Sequence, residues 1–148
     1  MKKLLDGKVS LVTGAALGFG SGISMALGRA GSKVCATDVD DKNLAETVLS
    51  MKDEGSVVMA RHLDASDPQE FKEVVGEVID KWNRLDVVVH AGVIMPLLKF
   101  EETSDQLGWN EIQVSLGGLL NATRSVWDVM KRQGGGHIMA IASGSSFR

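Results

Sequence analysis

The sequence predicts an α/β fold, a doubly wound parallel sheet, and three observations carry that reading. Five short, mostly apolar stretches recur, over residues 9–13, 33–37, 57–63, 85–92 and 137–142. Segments whose apolar residues repeat at helical spacing separate them, which is the strand-helix alternation of parallel sheets. A glycine-rich stretch, Gly14-Ala15-Ala16-Leu17-Gly18-Phe19-Gly20, joins the first strand to the first helix. The 148 residues suit one domain, 1–148, and a 44% hydrophobic content is enough for a core.

The first unit organises the rest. Its strand runs into the glycine turn, Ile23, Ala26, Leu27 and Ala30 then follow one helical face up to Gly31, and a second strand closes on Asp38. A phosphate at the top of such a unit meets backbone N–H groups and the positive end of the helix, provided no side chain intervenes. Glycines at 14, 18 and 20 supply that clearance. Asp38 lies eighteen residues past Gly20, where a carboxylate accepts hydrogen bonds from a ribose diol. Glycines between two elements also serve turn geometry alone, but strand, helix and acid in this order favour a Rossmann-type dinucleotide site.

Further along, Asp40 or Asp41 caps a second helix with Leu44, Val48 and Met51 on one face, stopped by Gly55. Asp67-Pro68-Gln69-Glu70 starts a third, with a cap, a proline at the first helical position and a glutamate placed to close a capping box. Phe71, Val74, Val75, Val78, Ile79 and Trp82 mark its buried face. The stretch 85–92 is apolar on both faces, as a central parallel strand is, and a ring at its end, His90, is expected to be satisfied by backbone groups. Residues 93–103 read as loop. A long helix follows with Trp109, Ile112, Leu116, Leu119, Thr123, Trp127 and Met130 on one stripe, and Gly117-Gly118 suggests close packing, such as a helix-helix contact. Gly134-Gly135-Gly136 ends it, and the fifth strand delivers Ser143 at its carboxyl end.

The form Thr13-Gly14-x-x-x-Gly18-x-Gly20, the lead-in Leu5-Asp6-Gly7-Lys8-Val9, Ala91-Gly92 after the fourth strand, and the run from Gly136 to Ser143 together resemble the short-chain dehydrogenase/reductase family. The resemblance covers nearly all 148 residues but only the first part of the family domain, so the strand order 3-2-1-4-5-6 would be cut after about the fifth strand. It implies cofactor contacts from Gly14, Leu17, Gly18, Phe19, Gly20, Asp38, Asp64, Ala65, His90, Ala91 and Gly92, with Asp64 beside the adenine; the alternative for Asp64 is a plain turn start. It implies an NAD-dependent oxidoreductase that interconverts secondary alcohols and ketones, with Ser143 on the substrate oxygen and Ser115 in the place of a family asparagine. Asp38 favours NAD over NADP.

Two departures stand beside the likeness. Val89 and His90 occupy the two asparagine places of the family's Asn-Asn-Ala-Gly, and the strand is one residue short there. The family's Tyr-x-x-x-Lys element is absent: the sequence has no tyrosine, and no lysine follows Ser143. The expectation is therefore a chain that binds NAD but is inactive as these 148 residues. The alternative is a non-catalytic NAD-binding or interaction protein that pairs with a complete relative through its long helix, and a homo-oligomer is compatible with both. A methyltransferase on a similar sheet, which also binds a ribose through an acid after strand two, fits the glycine spacing poorly.

A net charge of −3 and a pI near 5.6 give no basic field for nucleic acid or an acidic membrane surface. Lys2 and Lys3 are followed only by Leu4 and Leu5 before Asp6, short of a signal-peptide core, so a cytoplasmic protein is expected. Cys35 is the one cysteine, which rules out an internal disulfide or a cysteine-rich metal site; no metal is expected.

Overall fold

The computed structural model describes residues 2–143. Five strands, β1 (Val9–Thr13), β2 (Lys33–Asp38), β3 (Val58–His62), β4 (Val87–His90) and β5 (His137–Ala140), alternate with helices α1 (Gly18–Arg29), α2 (Asp41–Asp53), α3 (Pro68–Trp82), α4 (Asp105–Ile112) and α5 (Gly118–Arg132). All pairings are parallel and the order is β3-β2-β1-β4-β5. The chain begins in the middle of its sheet, moves outward to β3, and returns to the other side of β1 through α3. This switch of direction leaves a crevice between the carboxyl ends of β1 and β4.

Two apolar clusters cover the two faces of the sheet. On one, α1 and α2 bring Leu44, Val48 and Met51 onto Val12, Val34, Ala36 and Val89. On the other, α3 and α5 bring Phe71, Val74, Val78, Ala122 and Val126 onto Leu11, Cys35 and Val88. Burial on both faces explains why β1 and β4 are apolar throughout. Cys35 is enclosed there, and burial pushes its thiol up to about 12. At the amino ends of the strands, Asp86 accepts from the Val9 amide (3.0 Å), Lys8 Nζ (3.0 Å) and both Arg84 Nε (2.7 Å) and Nη2 (2.6 Å), which staples β1 to β4. No described helix is long and apolar enough to cross a membrane.

Helix starts follow their capping residues. Asp40 accepts from the Asn43 amide at α2, Asp67 from those of Gln69 and Glu70 at α3, and Ser104 from that of Leu107 at α4. The capping box expected at α3 is only half formed. Glu70 Oε2 takes the Asp64 amide instead (2.7 Å), since the turn before the helix brings that donor within reach.

The long helix departs from expectation. A π-helical turn over Gln113–Gly117 separates α4 from α5. The face of α5 that packs on the sheet is Gly118, Ala122, Val126 and Met130. Of the expected stripe only Met130 is fully buried; Trp109, Ile112, Leu116 and Trp127 are exposed. The buried row lies one residue away from the expected one, because the π turn interrupts the 3.6-residue phase and small residues, not the large ones, meet the sheet. Gly118 does mark close packing, and within the chain it meets the His90 ring of β4.

Candidate functional site

The turn between β1 and α1 is held from three sides. The Ala15 amide donates to the Thr37 carbonyl (3.0 Å), the Ala16 amide to Asp38 Oδ2 (2.9 Å), and Thr47 Oγ1 to the Ala16 carbonyl (2.9 Å). Gly14 has φ +66°, and a Cβ there would stand 2.7 Å from the Gly92 nitrogen, so β1 and β4 approach too closely for any side chain. Gly18 has φ +58° and open space where a Cβ would be. The N-cap residue of α1, Leu17, makes no side-chain cap, and no acid lies in the first turn, in contrast to α2, α3 and α4. The leading amides of α1 therefore face the crevice without a carboxylate or hydroxyl of their own, the arrangement a phosphate requires.

A cleft of about 370 Å³ opens there, lined by Gly14, Leu17, Gly18, Phe19, Gly20, Asp38 and Ala91 among the predicted residues, with Ala16, Asp40 and Val93 beside them. Asp38 is fixed in orientation, since Oδ2 accepts from Ala16 and Oδ1 from the Asp40 amide (3.0 Å). Each oxygen keeps a second lone pair for a diol. Asp40, read in the sequence only as a cap, contributes a second acid to the wall; its hydrogen bonds from Asn43 hold its carboxyl below the usual carboxylate range.

The remaining predicted residues surround this cleft without lining it. Asp64 closes a turn, with Oδ1 accepting from the Ser66 amide (2.9 Å) and hydroxyl (2.7 Å). Ala65 is buried, and its carbonyl and that of Ser66 both accept from Asn121 Nδ2 on α5 (3.0 and 3.1 Å). Asn121 thus fastens the loop after β3; a single amide on a helix has no spacing to betray it in sequence. Ser115 lies in the π-helical turn. Ser143 is exposed three residues past β5, at the same end of the sheet as Gly14 and Gly92.

His90 lies behind the cleft, buried, and its neighbours define its tautomer. Thr13 Oγ1 accepts the amides of Ala91 (3.2 Å) and Gly92 (3.3 Å), so its own hydrogen goes to His90 Nδ1, 2.8 Å away. Nε2 then carries the ring proton and donates to the carbonyls of Val114 and Ser115, both at 3.1 Å. The expected backbone satisfaction is present on one nitrogen, and Thr13 supplies the other partner. Burial pulls the His90 pKa below its ordinary value, outweighing the two carbonyls, so the ring is neutral at pH 7.

Two larger cavities lie away from this cleft. One of about 590 Å³ lies between the loop after β4 and α4, bordered by Leu98, Phe100, Trp109 and Ile112; another of about 510 Å³ lies between α5 and β5 beside Trp127, Met130 and Ile138.

Residues 8–148 match the family described as short chain dehydrogenase. The chain belongs to the short-chain dehydrogenase/reductase family. It is 33% identical over 141 residues to the 3-oxoacyl-[acyl-carrier-protein] reductase FabG of Thermotoga maritima, covering 94% of this chain and 56% of that protein. It is 28% identical over 155 residues to an uncharacterized NAD-dependent oxidoreductase of Mycobacterium tuberculosis, covering 96% and 56%. Among solved structures, an actinorhodin polyketide ketoreductase with NADPH superposes with a TM-score of 0.91 at 26% identity, covering all of this chain and 57% of that one. The chain thus spans a little over half the length of these short-chain dehydrogenase/reductase relatives.

Proposed function

We propose that residues 1–148 form the dinucleotide-binding part of an NAD-dependent oxidoreductase of the short-chain dehydrogenase/reductase type, acting on a secondary alcohol or ketone. The observation that carries the reading is the cleft in which the uncapped amides of α1 and the fixed carboxylate of Asp38 face the same space. Pyrophosphate fits the amides of Gly18 to Gly20, and the ribose diol fits Asp38. Asp64 and Ala65, in the loop that Asn121 fastens at the Ala65 and Ser66 carbonyls, would border the adenine, and Ala91 and Gly92 the far side of the cofactor.

NAD is preferred over NADP in this reading. A 2′-phosphate would face Asp38, with Asp40 nearby, and two like charges about 4 Å apart near a protein surface repel by up to about 4 kcal/mol before screening. Leu17 offers no cation in return. The named relatives do not decide between them, one being called NAD-dependent and one structure holding NADPH.

When bound, the nicotinamide supplies the hydride acceptor or donor. Ser143 is the residue assigned to hydrogen-bond the substrate oxygen, and Ser115 stands where the family has an asparagine. No tyrosine occurs in the sequence to exchange the proton that accompanies hydride transfer. Loss of a positioned acid-base group removes a factor of about 10² to 10⁴ in rate, so this polypeptide binds NAD without useful turnover. Calorimetric titration with NADH, together with assays on a panel of secondary alcohols and ketones, tests both halves. Saturable binding lost in Gly14→Ala, with negligible turnover, is the expected result. Failure of NADH to bind overturns the reading of the cleft, and turnover abolished by Ser143→Ala overturns the expected inactivity.

One observation favours a second role beside the first. Trp109 (63% exposed), Leu116 (66%) and Trp127 (61%) make an outward apolar row along α4 and α5 that monomeric surfaces seldom carry. It suits pairing with a second copy or with a complete relative.

A further inference from the structure

The hydrogen-bond chain through His90 has a direction and two ends. At one end the Ala91 and Gly92 amides, which shape the β4 side of the cleft, share Thr13 Oγ1 as their acceptor. At the other, the carbonyls of Val114 and Ser115 belong to the π-helical turn. Between them the ring is locked in place. Gly118 presses on it so closely that a Cβ at 118 would stand 2.6 Å from His90 Cε1, and Thr13 and Ala140 flank it in the sheet register. No other arrangement of protons satisfies every partner. With the proton on Nδ1 instead, Thr13 would face a third donor and the two carbonyls would face a bare nitrogen lone pair.

We propose that His90 is a positioning residue, a proton-sensitive tie that couples the β4 wall of the dinucleotide cleft to the π-helical turn carrying Ser115. Protonation adds a hydrogen at Nδ1, converting the acceptor of the Thr13 hydroxyl into a donor aimed at the same oxygen. Thr13 then cannot keep its hydrogen directed at the ring, and the Ala91 and Gly92 amides compete with the imidazolium for Oγ1. Acid therefore breaks the tie at its Thr13 end, while the Nε2–H stays on the carbonyls of Val114 and Ser115 and donates to them more strongly, so both ends sense one proton. Among the described residues, the groups placed against the ring are uncharged: Thr13 of β1, Gly118 of α5, the carbonyls of the π turn, and Ala65, which reaches Gly118 beside it. Burial lowers its proton affinity and the two carbonyls raise it. The cleft's occupant in this argument is the dinucleotide of the preceding section, and the test keeps the two ideas separable.

In the 148-residue protein labelled with ¹⁵N, the His90 ring should display the pattern of a neutral ring protonated at Nε2 at pH 8. On acidification the backbone amides of Ala91, Gly92 and Gly118 should shift with a shared midpoint, below 6.5, equal to that of His90. His90→Gln, which offers a donor and an acceptor without titrating, should keep the fold and lose the shared midpoint. NADH affinity should weaken from pH 8 to 5.5 in the native protein and stay flat in His90→Gln. The expected change is about tenfold for each unit by which cofactor binding lowers the His90 pKa. A ring protonated at Nδ1, or amides at the two ends that titrate independently of His90, would overturn the proposal. NADH affinity that falls equally in both proteins would do the same. If NADH bound neither protein while the shared midpoint was present, the tie would stand and the cofactor reading would fall.

Discussion

Along β1 and β2 the interior strand residues are buried and the following turn is pinned by Thr37, Asp38 and Thr47, whereas along α4, α5 and β5 large apolar side chains stand in solvent. β1 has a strand on each side and a helix layer on each face; among the described residues β5 has one strand neighbour and is largely exposed. The proposed dinucleotide cleft thus rests on the part of the molecule whose contacts are complete within the described residues. Ser115 and Ser143 stand on the part whose apolar surface is still open. Binding should therefore be a robust property of this polypeptide, and catalysis and association the sensitive ones.

The contrast is broken most severely from the covered side. Phe71→Ala removes a fully buried ring from between α3 and the sheet, and should cost about 3–5 kcal/mol in chemical unfolding. A loss below about 1 kcal/mol would mean that this layer is less closely packed than the structure has it.

The Asp86 staple comes next. Burial alone would raise its pKa, but Arg84, the Val9 amide and Lys8 outweigh it and bring the carboxyl to about 2, against 3.8 for a free one. The unfolded chain then binds the proton more tightly, so the contribution is complete above pH 3.8 and is lost as pH falls towards about 2. The shift corresponds to roughly 2 kcal/mol, an order-of-magnitude figure for a carboxyl whose partners reach solvent. Asp86→Asn should be less stable than the native protein at pH 7, and the gap should close through that acid interval. A constant gap from pH 7 to 2 would assign the loss to packing rather than charge.

How much of this was legible follows the same division. Strands covered on both faces must be apolar throughout, so β1, β2 and β4 were readable as runs, and Leu44, Val48 and Met51 marked the inner face of α2 by spacing alone. That Gly14, Gly18, Gly20 and Asp38 share one cleft was readable because a turn after the first strand and an acid ending the second must lie at the same end of a parallel sheet. The α4–α5 stripe misled for a physical reason. Apolar residues occupy two faces there, the π turn breaks the phase between them, and the small row of Gly118, Ala122 and Val126 is the one that meets the sheet. Thr13 as the hub of the His90 network and Asn121 as a loop clamp are single polar residues whose partners are 55 to 79 positions away, and no local pattern encodes such pairs.

A smaller effect sharpens the contrast from the open side. Replacing Trp109 and Trp127 by glutamine should change stability by no more than about 0.5 kcal/mol each, since neither side chain is buried in the chain itself. Sedimentation should nonetheless record weaker self-association than in the native protein. A large loss of stability with unchanged association would place both rings in the chain's own core.

The central claim is that Gly14 through Gly20 and Asp38 form one dinucleotide site, and parallel calorimetric titrations with NAD and NADP on the native protein and on Asp38→Asn test it most directly. The account predicts that NAD binds more tightly to the native protein, that Asp38→Asn weakens NAD, and that the same change narrows or reverses the preference over NADP. Equal or tighter NADP binding by the native protein, or a preference untouched by Asp38→Asn, would contradict it.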